Sequence, residues 1–241
     1  MARTHLRKWL VCGVSLASSL TCAQSNSSPN PIGELRLRAV SPQSTKHHPA
    51  PAVIWLEPLG ATPALSFRPH GRSTLLQKNR TFIPHLQVIP VGTVVQFPNA
   101  DPFFHNVFSL FDGKRFDLGL YEAGSSKTVT FSREGVSYIF CNIHPEMSAV
   151  VLVLSTPLYA IADANDAFVL SNIPPGDYIL HLWVEGLPQT VADRLTQHLH
   201  LTGQNVDLGV ITIPATSGAS DAHSNKYGNP YDPIPKSPYE H

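Results

Sequence analysis

Three residues with soft or borderline metal-binding side chains recur at intervals of three in the segment YIFCNIHPEMSAV, residues 138–150. They are Cys141, His144 and Met147, which offer a thiolate, an imidazole and a thioether. The preceding strand-like run VSYIF would deliver Cys141 to one end of a sheet. The loop would then fold His144 and Met147 back over the same end before the run SAVVLVL re-enters the sheet.

A fourth ligand is predicted upstream, in the segment FPNADPFFHNVFS, where His105 begins a strand after a turn rich in Pro, Asn and Asp. Two histidines, one cysteine and a long, weak axial methionine are the ligand set of a mononuclear type 1, or blue, copper site. We therefore predict one copper ion bound by His105, Cys141, His144 and Met147. A buried thiol, a surface histidine and a core methionine are the ordinary alternatives for the last three residues, and zinc or no metal is the alternative for the set.

Regular strand signals surround these residues. Short apolar runs are separated by Gly, Pro, Asn and Asp, and SREG lies between two alternating runs, as is typical of a hairpin turn. This pattern predicts an antiparallel sandwich or barrel. The runs are HLQVIPVG, TVVQFPNADP, HNVFSLF, KTVTFSREGVSYIFC and SAVVLVL.

The segments DPFFHNVFS and YIFCNIHPEM together resemble the cupredoxin family. The Cys-x₂-His-x₂-Met spacing resembles the ligand loop of the amicyanins, and RTFIPHLQVIPVGTVVQFPNADPFFHNVFS is similar to exported plastocyanin-like proteins of the methylamine-utilisation type. The resemblance implies an all-β, Greek-key cupredoxin sandwich over residues 33–155. It also implies that Asn106, which follows the first histidine ligand, helps to tie the two ligand-bearing loops together.

A second, smaller β-sandwich is predicted over residues 156–213. The runs LYAIAD, FVLSNI and DYILHLWV read as strands separated by the turns ANDA and PPG, and they resemble carboxypeptidase regulatory-like sandwiches. A unit of this size buries little core by itself. We expect it to lean on the first sandwich or to borrow the N-terminal strands GELRLRAV and AVIWLEP.

The N-terminus has the pattern of a signal peptide over residues 1–23. Three basic residues precede the apolar run WLVCGVSLASSL, and small residues allow cleavage after Ala23. Residues 24–32 are predicted to be a polar linker. An uncleaved anchor and lipidation at Cys22 are the alternatives. The protein is therefore expected to be periplasmic or secreted, with no transmembrane segment after the signal is removed.

Removal of residues 1–23 leaves Cys141 as the sole cysteine, which excludes an internal disulfide framework. The formal net charge of the whole chain is zero, so the chain lacks the excess of basic residues that is typical of nucleic-acid-binding proteins. Residues 214–241 carry many small, polar and proline residues without an apolar period, and they are predicted to be disordered.

The resemblance implies an electron carrier, with His144 as the electron port and with other exported redox proteins as partners, such as a cytochrome c or a dehydrogenase. A copper carrier or sensor would use the same ligands. A structural or adhesive β-sandwich protein with incidental copper binding is the other alternative. An enzyme is not expected, because no Ser-His-Asp set or carboxylate pair is visible. The flanks of Cys141, Phe140 and Asn142, also lack the histidines of a multicopper oxidase.

Other histidines have structural interpretations. His85 lies in a strand-like stretch, and we expect it to be half-buried and bonded to the backbone. His198 and His200 alternate with leucines, so they would lie on one face of an edge strand.

Overall fold

The computed structural model describes residues 33–41, 50–62, 65–110, 113–214 and 224–231. The predicted signal peptide and linker, residues 1–32, lie outside the described residues. The described chain is almost entirely β, which confirms the predicted all-β class. No helix in these ranges has the length and apolar character that crossing a membrane requires.

The strands follow one another closely, and the one helical stretch in the described ranges, α1 (Gln189–Ala192) with the 3₁₀ turn Asp193–Leu195, lies late in the chain. The strands are β1 (Gly33–Val40), β2 (Ala52–Pro58), β3 (Arg72–Thr74), β4 (Leu76–Lys78), β5 (Thr81–Ile83), β6 (Leu86–Pro90), β7 (Thr93–Pro98), β8 (His105–Ser109), β9 (Phe116–Tyr121), β10 (Ser126–Phe131), β11 (Gly135–Cys141), β12 (Ser148–Leu154), β13 (Tyr159–Ile161), β14 (Ala167–Ile173), β15 (Gly176–Val184), β16 (Gln197–Leu201) and β17 (Val206–Thr212).

The first sandwich is formed by two sheets with the strand orders β10-β7-β3 and β6-β12-β11-β8-β9, to which the small hairpin β4-β5 is added. Most neighbours are antiparallel, but β6 runs parallel to β12 and β3 runs parallel to β7. Alternate residues of β7 point into the core, in the period of two expected of a strand with one buried face. Cys141 and Met147 belong to this core cluster, so the predicted ligand loop is anchored in the sandwich interior.

The sheets β14-β1-β17 and β13-β2-β15-β16 share a separate core, and we call this pair of sheets the second sandwich. Its core includes Leu35 and Leu37 from β1 and Ile54 and Leu56 from β2. The predicted boundary of the first sandwich at residue 33 is therefore corrected, because both N-terminal strands belong to the second sandwich. The physical reason is core size: residues 156–213 alone bury too little apolar surface, and the two borrowed strands supply the missing layer.

The two sandwiches pack on each other through a third apolar cluster. Successive residues of β12 divide between two environments: Ala149, Val151 and Val153 enter the first core, whereas Val150, Leu152 and Leu154 meet the second sandwich. This division explains why SAVVLVL is continuously apolar instead of alternating, because both faces of the strand are buried. Trp183 of β15 completes the contact and donates its indole N–H to the Tyr138 hydroxyl at 3.3 Å.

The segment after the second sandwich also differs from expectation. Residues 224–231 lie against the ligand loop, with hydrogen bonds from Lys226 to Asn142 and from Tyr231 to Cys141. The prediction of disorder over 214–241 is corrected for these eight residues. Polar hydrogen bonds hold the segment, and such bonds leave no apolar period in a sequence.

Candidate metal centre

Strand pairing and the loop after β11 bring three of the predicted ligands to the same end of one sheet. His105 is the first residue of β8 and Cys141 is the last residue of β11, and the two strands are antiparallel neighbours with Cys141 opposite Val107. The loop after Cys141 is closed by a hydrogen bond from the Met147 amide to the His144 carbonyl at 3.0 Å. The Cys141 amide also donates to the Met147 carbonyl at 3.3 Å, so the loop turns back at once into β12.

The three donor atoms form a nearly equilateral triangle. The Cys141 sulfur lies 3.5 Å from Nδ1 of His105 and 3.5 Å from Nδ1 of His144, and the two nitrogens lie 3.2 Å apart. The centre of this triangle lies about 2.0 Å from each atom, close to the metal–nitrogen bonds of about 2.0–2.1 Å and metal–sulfur bonds of about 2.3 Å known for zinc. No other three His, Cys, Asp or Glu side chains in the described ranges converge in this way. The donor set therefore fits a small soft or borderline metal ion.

The ligands differ in their exposure. Cys141 and His105 are completely buried, whereas His144 is partly exposed. Burial raises the pKa of the Cys141 thiol, and the amides of Asn106, Ile143 and His144 act in the opposite direction. Burial also lowers the pKa of His144, with the His105 ring as the next cause, so the neutral imidazole is favoured. A neutral imidazole is the form that can bind a metal.

Met147 is fully buried in the first core, and its backbone is bonded to both His144 and Cys141. The structure therefore places all four predicted residues at one pole of the sandwich. Three of them share the triangle, and the fourth is attached to the same closed loop.

A buried carboxylate holds the other side of the His105 ring. Nε2 of His105 lies 2.9 Å from Oδ2 of Asp101, which also accepts the amide of Arg80 at 3.0 Å, and Oδ1 accepts the amide of Asn79 at 2.6 Å. Burial by itself would raise the pKa of Asp101, but the Arg80 amide, the His105 ring and the Asn79 amide outweigh it, and the pKa is lowered. The carboxylate is therefore ionised and orients His105 so that Nδ1 faces the triangle.

The amides that Asp101 binds belong to a tight hairpin. Asn79 and Arg80 form the two-residue connection between β4 and β5, with φ values of 54° and 55°. Two consecutive positive φ values are those of a type I′ turn. The hairpin thus braces the predicted ligand His105 through Asp101. Sequence reasoning treated Asp101 as a turn residue and missed this role, although metal-binding histidines usually donate their second ring N–H to a carboxylate, carbonyl or water.

An aromatic ring covers the two histidines. The centroid of Phe103 lies 5.3 Å from the ring centroids of both His105 and His144. The Arg80 guanidinium carbon lies 5.3 Å from the Phe103 centroid, within the range of a cation–π contact. Phe103 therefore limits access of water to the imidazoles, a role that sequence reasoning also missed.

Asn106 links the two ligand-bearing segments, as predicted, but it does so through its backbone carbonyl. Its backbone carbonyl accepts the Asn142 amide at 2.8 Å, which links the residues that follow His105 and Cys141. Its side-chain amide instead donates to Asp117 on β9 at 2.6 Å. Asn106 therefore joins three neighbouring segments at the metal pole.

The other histidines lie where their patterns indicated. His85 is half-buried and its Nδ1 lies 3.1 Å from the Ser148 carbonyl. His198 and His200 lie on β16, which is an edge strand, and Nδ1 of His200 lies 2.7 Å from Oδ1 of Asp177.

Comparison with known proteins gives matches among solved structures only. No protein-family model matches this chain, and no curated protein matches it. A purple cupredoxin from Nitrosopumilus maritimus is 28% identical over 34% of this chain and 99% of its own, with a TM-score of 0.32. A copper-containing nitrite reductase from Thermus scotoductus is 27% identical over 41% of this chain and 25% of its own, with a TM-score of 0.34. A reduced amicyanin variant is 19% identical over 36% of this chain and 86% of its own, with a TM-score of 0.33.

Proposed function

We propose that this chain is an exported type 1 copper protein that carries single electrons between redox partners. The observation that carries the proposal is the triangle of His105 Nδ1, Cys141 Sγ and His144 Nδ1, whose sides measure 3.5, 3.5 and 3.2 Å. Bound copper would supply the chemistry by alternating between Cu(I) and Cu(II). The proposal assigns one copper ion to the site and no catalytic residue to the chain.

The donor set favours copper over zinc. Structural zinc is almost always held by four strong tetrahedral ligands. Here the donors that converge among the described residues are two imidazoles and one thiolate, and a buried thioether, that of Met147, is the candidate for the weak axial position typical of blue copper. In this proposal Cys141 forms the strong thiolate bond, and the amides of Asn106, Ile143 and His144 tune its sulfur.

The surroundings suit electron transfer because neighbouring groups hold the proposed ligands in place. His105 is fixed by Asp101 at 2.9 Å, and the ligand loop is closed by the bond between Met147 and His144. Ligands on a rigid frame move little when the charge of the metal changes. His144, the partly exposed ligand, is the proposed port through which electrons pass to a partner, and the proposed partners are exported redox proteins such as a cytochrome c or a dehydrogenase. Encounters between such proteins bury small interfaces.

The proposal is tested by titrating the metal-free protein with Cu(II) and recording visible absorption and EPR spectra. We expect an intense thiolate-to-copper band and a narrow copper hyperfine splitting, both saturating at one equivalent. Cys141→Ser should abolish the band. His198→Asn, which alters a histidine on the edge strand β16, should leave it unchanged. A weak band with ordinary hyperfine splitting in the unaltered protein would overturn the proposal.

A second experiment separates electron transfer from metal delivery. The copper-loaded protein is mixed with reduced cytochrome c, and the oxidation of the cytochrome is followed by stopped-flow absorption. The release of copper to a chelator is measured in parallel. Rapid electron exchange with slow release of copper would support the proposed electron carrier. Slow electron exchange with rapid release would favour the copper carrier or sensor instead.

A further inference from the structure

The segment 224–231, which we call the C-terminal clamp, binds the ligand loop directly behind Cys141. The Lys226 amide donates to Oδ1 of Asn142 at 2.9 Å. The Tyr231 hydroxyl donates to the Cys141 carbonyl at 2.9 Å. The clamp therefore contacts the backbone of one proposed metal ligand and the side chain of the residue that follows it.

The same lysine connects the clamp, through Asp117 of β9, to the strand that bears His105. Nζ of Lys226 lies 2.8 Å from Oδ2 of Asp117 on β9, and Oδ1 of Asp117 accepts the Asn106 side chain at 2.6 Å. The Asn106 carbonyl accepts the Asn142 amide at 2.8 Å. Lys226, Asp117, Asn106 and Asn142 thus form a closed ring of hydrogen bonds. The ring joins the residue after His105 to the residue after Cys141.

The clamp has internal order that suits it to this task. Oδ1 of Asn225 accepts the amides of Tyr227 at 2.9 Å and Asn229 at 3.1 Å, and the Asn225 carbonyl accepts the Gly228 amide at 2.9 Å. These bonds form a compact turn that presents Lys226 on the side facing the loop. The Lys226 side chain is 19% exposed and that of its partner Asp117 is 42% exposed, so solvent screens part of this ion pair.

We propose that the C-terminal clamp holds the ligand loop against β8 and β9 and thereby slows the loss of metal from the His105–Cys141–His144 triangle. This inference rests on the proposed copper site. For metal to leave, Cys141 and His144 must move away from His105. The clamp opposes that motion because its bonds to Asn142 and the Cys141 carbonyl must break first. Lys226 and Tyr231 are positioning residues that act through these neighbours and do not touch the metal.

The test uses two substitutions in the full-length chain, Lys226→Met and Tyr231→Phe, singly and together. The controls are Arg194→Met, which removes an exposed cation from the 3₁₀ turn of the second sandwich, and Tyr159→Phe, which removes a hydroxyl in the same sandwich. We expect copper transfer to a strong chelator to become about threefold to tenfold faster for each single clamp variant, as the loss of one hydrogen bond implies. The blue band should keep its intensity, because the ligands remain.

A measurement without metal examines the same contact. Amide hydrogen exchange at Asn142, recorded by NMR on the metal-free protein, should be faster in Lys226→Met and Tyr231→Phe and unchanged in both controls. Faster exchange in a protein that binds no copper would overturn the copper proposal while supporting the clamp. A normal blue band in all proteins, with the same rates of copper release and of Asn142 exchange in clamp variants and controls, would overturn the clamp alone.

Discussion

Nε2 of His105 lies 2.9 Å from Oδ2 of Asp101, and neither side chain is more than 4% exposed. The pair couples a proposed metal ligand to a buried negative charge. Because Asp101 is also bound by the amides of Asn79 and Arg80, the carboxylate cannot rotate away from the ring without losing those bonds. His105 is therefore both oriented and made a stronger electron donor by its neighbour.

Asp101→Asn should weaken copper binding by about 10-fold to 100-fold, the usual effect of altering a partner that orients a metal ligand. The reduction potential should also rise, because the buried anion stabilises Cu(II) more than Cu(I). The affinity is measured by competition with a chelator, and the potential by redox titration of the blue band.

The matched control is Glu134→Gln, which removes an exposed carboxylate from the turn between β10 and β11. Solvent and salt screen this charge, so the potential should scarcely change. A loss of stability in Asp101→Asn with an unaltered potential would assign Asp101 a purely structural role.

His85 lies between two hydrogen-bond acceptors and links the sandwiches. Its Nε2 atom is 2.8 Å from Oε1 of Glu185, and its Nδ1 atom is 3.1 Å from the Ser148 carbonyl. A neutral imidazole carries one N–H and satisfies one of them, whereas the imidazolium satisfies both. The bond to Glu185 is the main reason that the pKa of His85 is raised.

The contribution of this pair to stability should therefore decrease as the pH rises. A raised pKa in the folded state gives stability that is fully present below the unfolded value of about 6.5 and is lost as the pH passes through the higher folded value. Glu185→Gln should lower the free energy of unfolding by up to about 1 kcal/mol at pH 5.5, a modest amount because the pair is partly exposed. The difference from the unaltered protein should shrink toward pH 8.5. Urea unfolding at several pH values measures it, and Glu122→Gln serves as an exposed control. A difference that stays constant across this range would contradict the assignment.

The position of the ligand loop could be predicted from the sequence because its predicted ligands lie close together in the chain. Cys141, His144 and Met147 lie within seven residues, and the flanking runs indicate strands by composition and alternation. His105 could be added because it starts a strand after a turn. Asp101 could not, since its side chain reaches His105 only once the distant hairpin β4-β5 supplies the amides of Asn79 and Arg80.

The assignment of strands to the two sandwiches required long-range information. Alternation in β1 and β2 predicts strands but does not specify their partners, and β2 pairs with β15 more than a hundred residues later. The ordered conformation of residues 224–231 could not be predicted from the sequence for a different reason. Its bonds are polar and connect Lys226 and Tyr231 to groups far away in the chain, so composition alone indicates disorder.

Trp183 should couple the unfolding of the two sandwiches. It is 2% exposed and packs with Val53, Val150 and Leu152 between them. Trp183→Ala should lower the free energy of unfolding by about 3–5 kcal/mol, as expected when a large buried side chain is truncated. Trp183→Phe should cost less, because it keeps most of the apolar contact.

Two probes reveal whether the coupling is lost. The blue band reports the first sandwich, and tryptophan fluorescence reports the second, from Trp55, which stacks on His181 at 4.9 Å, and also from Trp183 where it is present. The two denaturation curves should coincide in the unaltered protein and separate in Trp183→Ala. Curves that coincide in both proteins would show that other contacts are sufficient to couple the sandwiches.

Met147→Leu separates an axial ligand from an ordinary core residue. Met147 is fully buried among apolar side chains, so a residue of similar volume should cost less than about 1.5 kcal/mol of stability. If its thioether is a weak axial donor, its removal should raise the reduction potential and change the copper hyperfine splitting, while the blue band persists because Cys141 is intact. Redox titration and EPR spectroscopy measure both quantities, and Leu152→Met, a comparable exchange at the interface of the sandwiches, should change neither. An unaltered potential and an unaltered EPR spectrum in Met147→Leu would leave the site with three ligands and assign Met147 to the core.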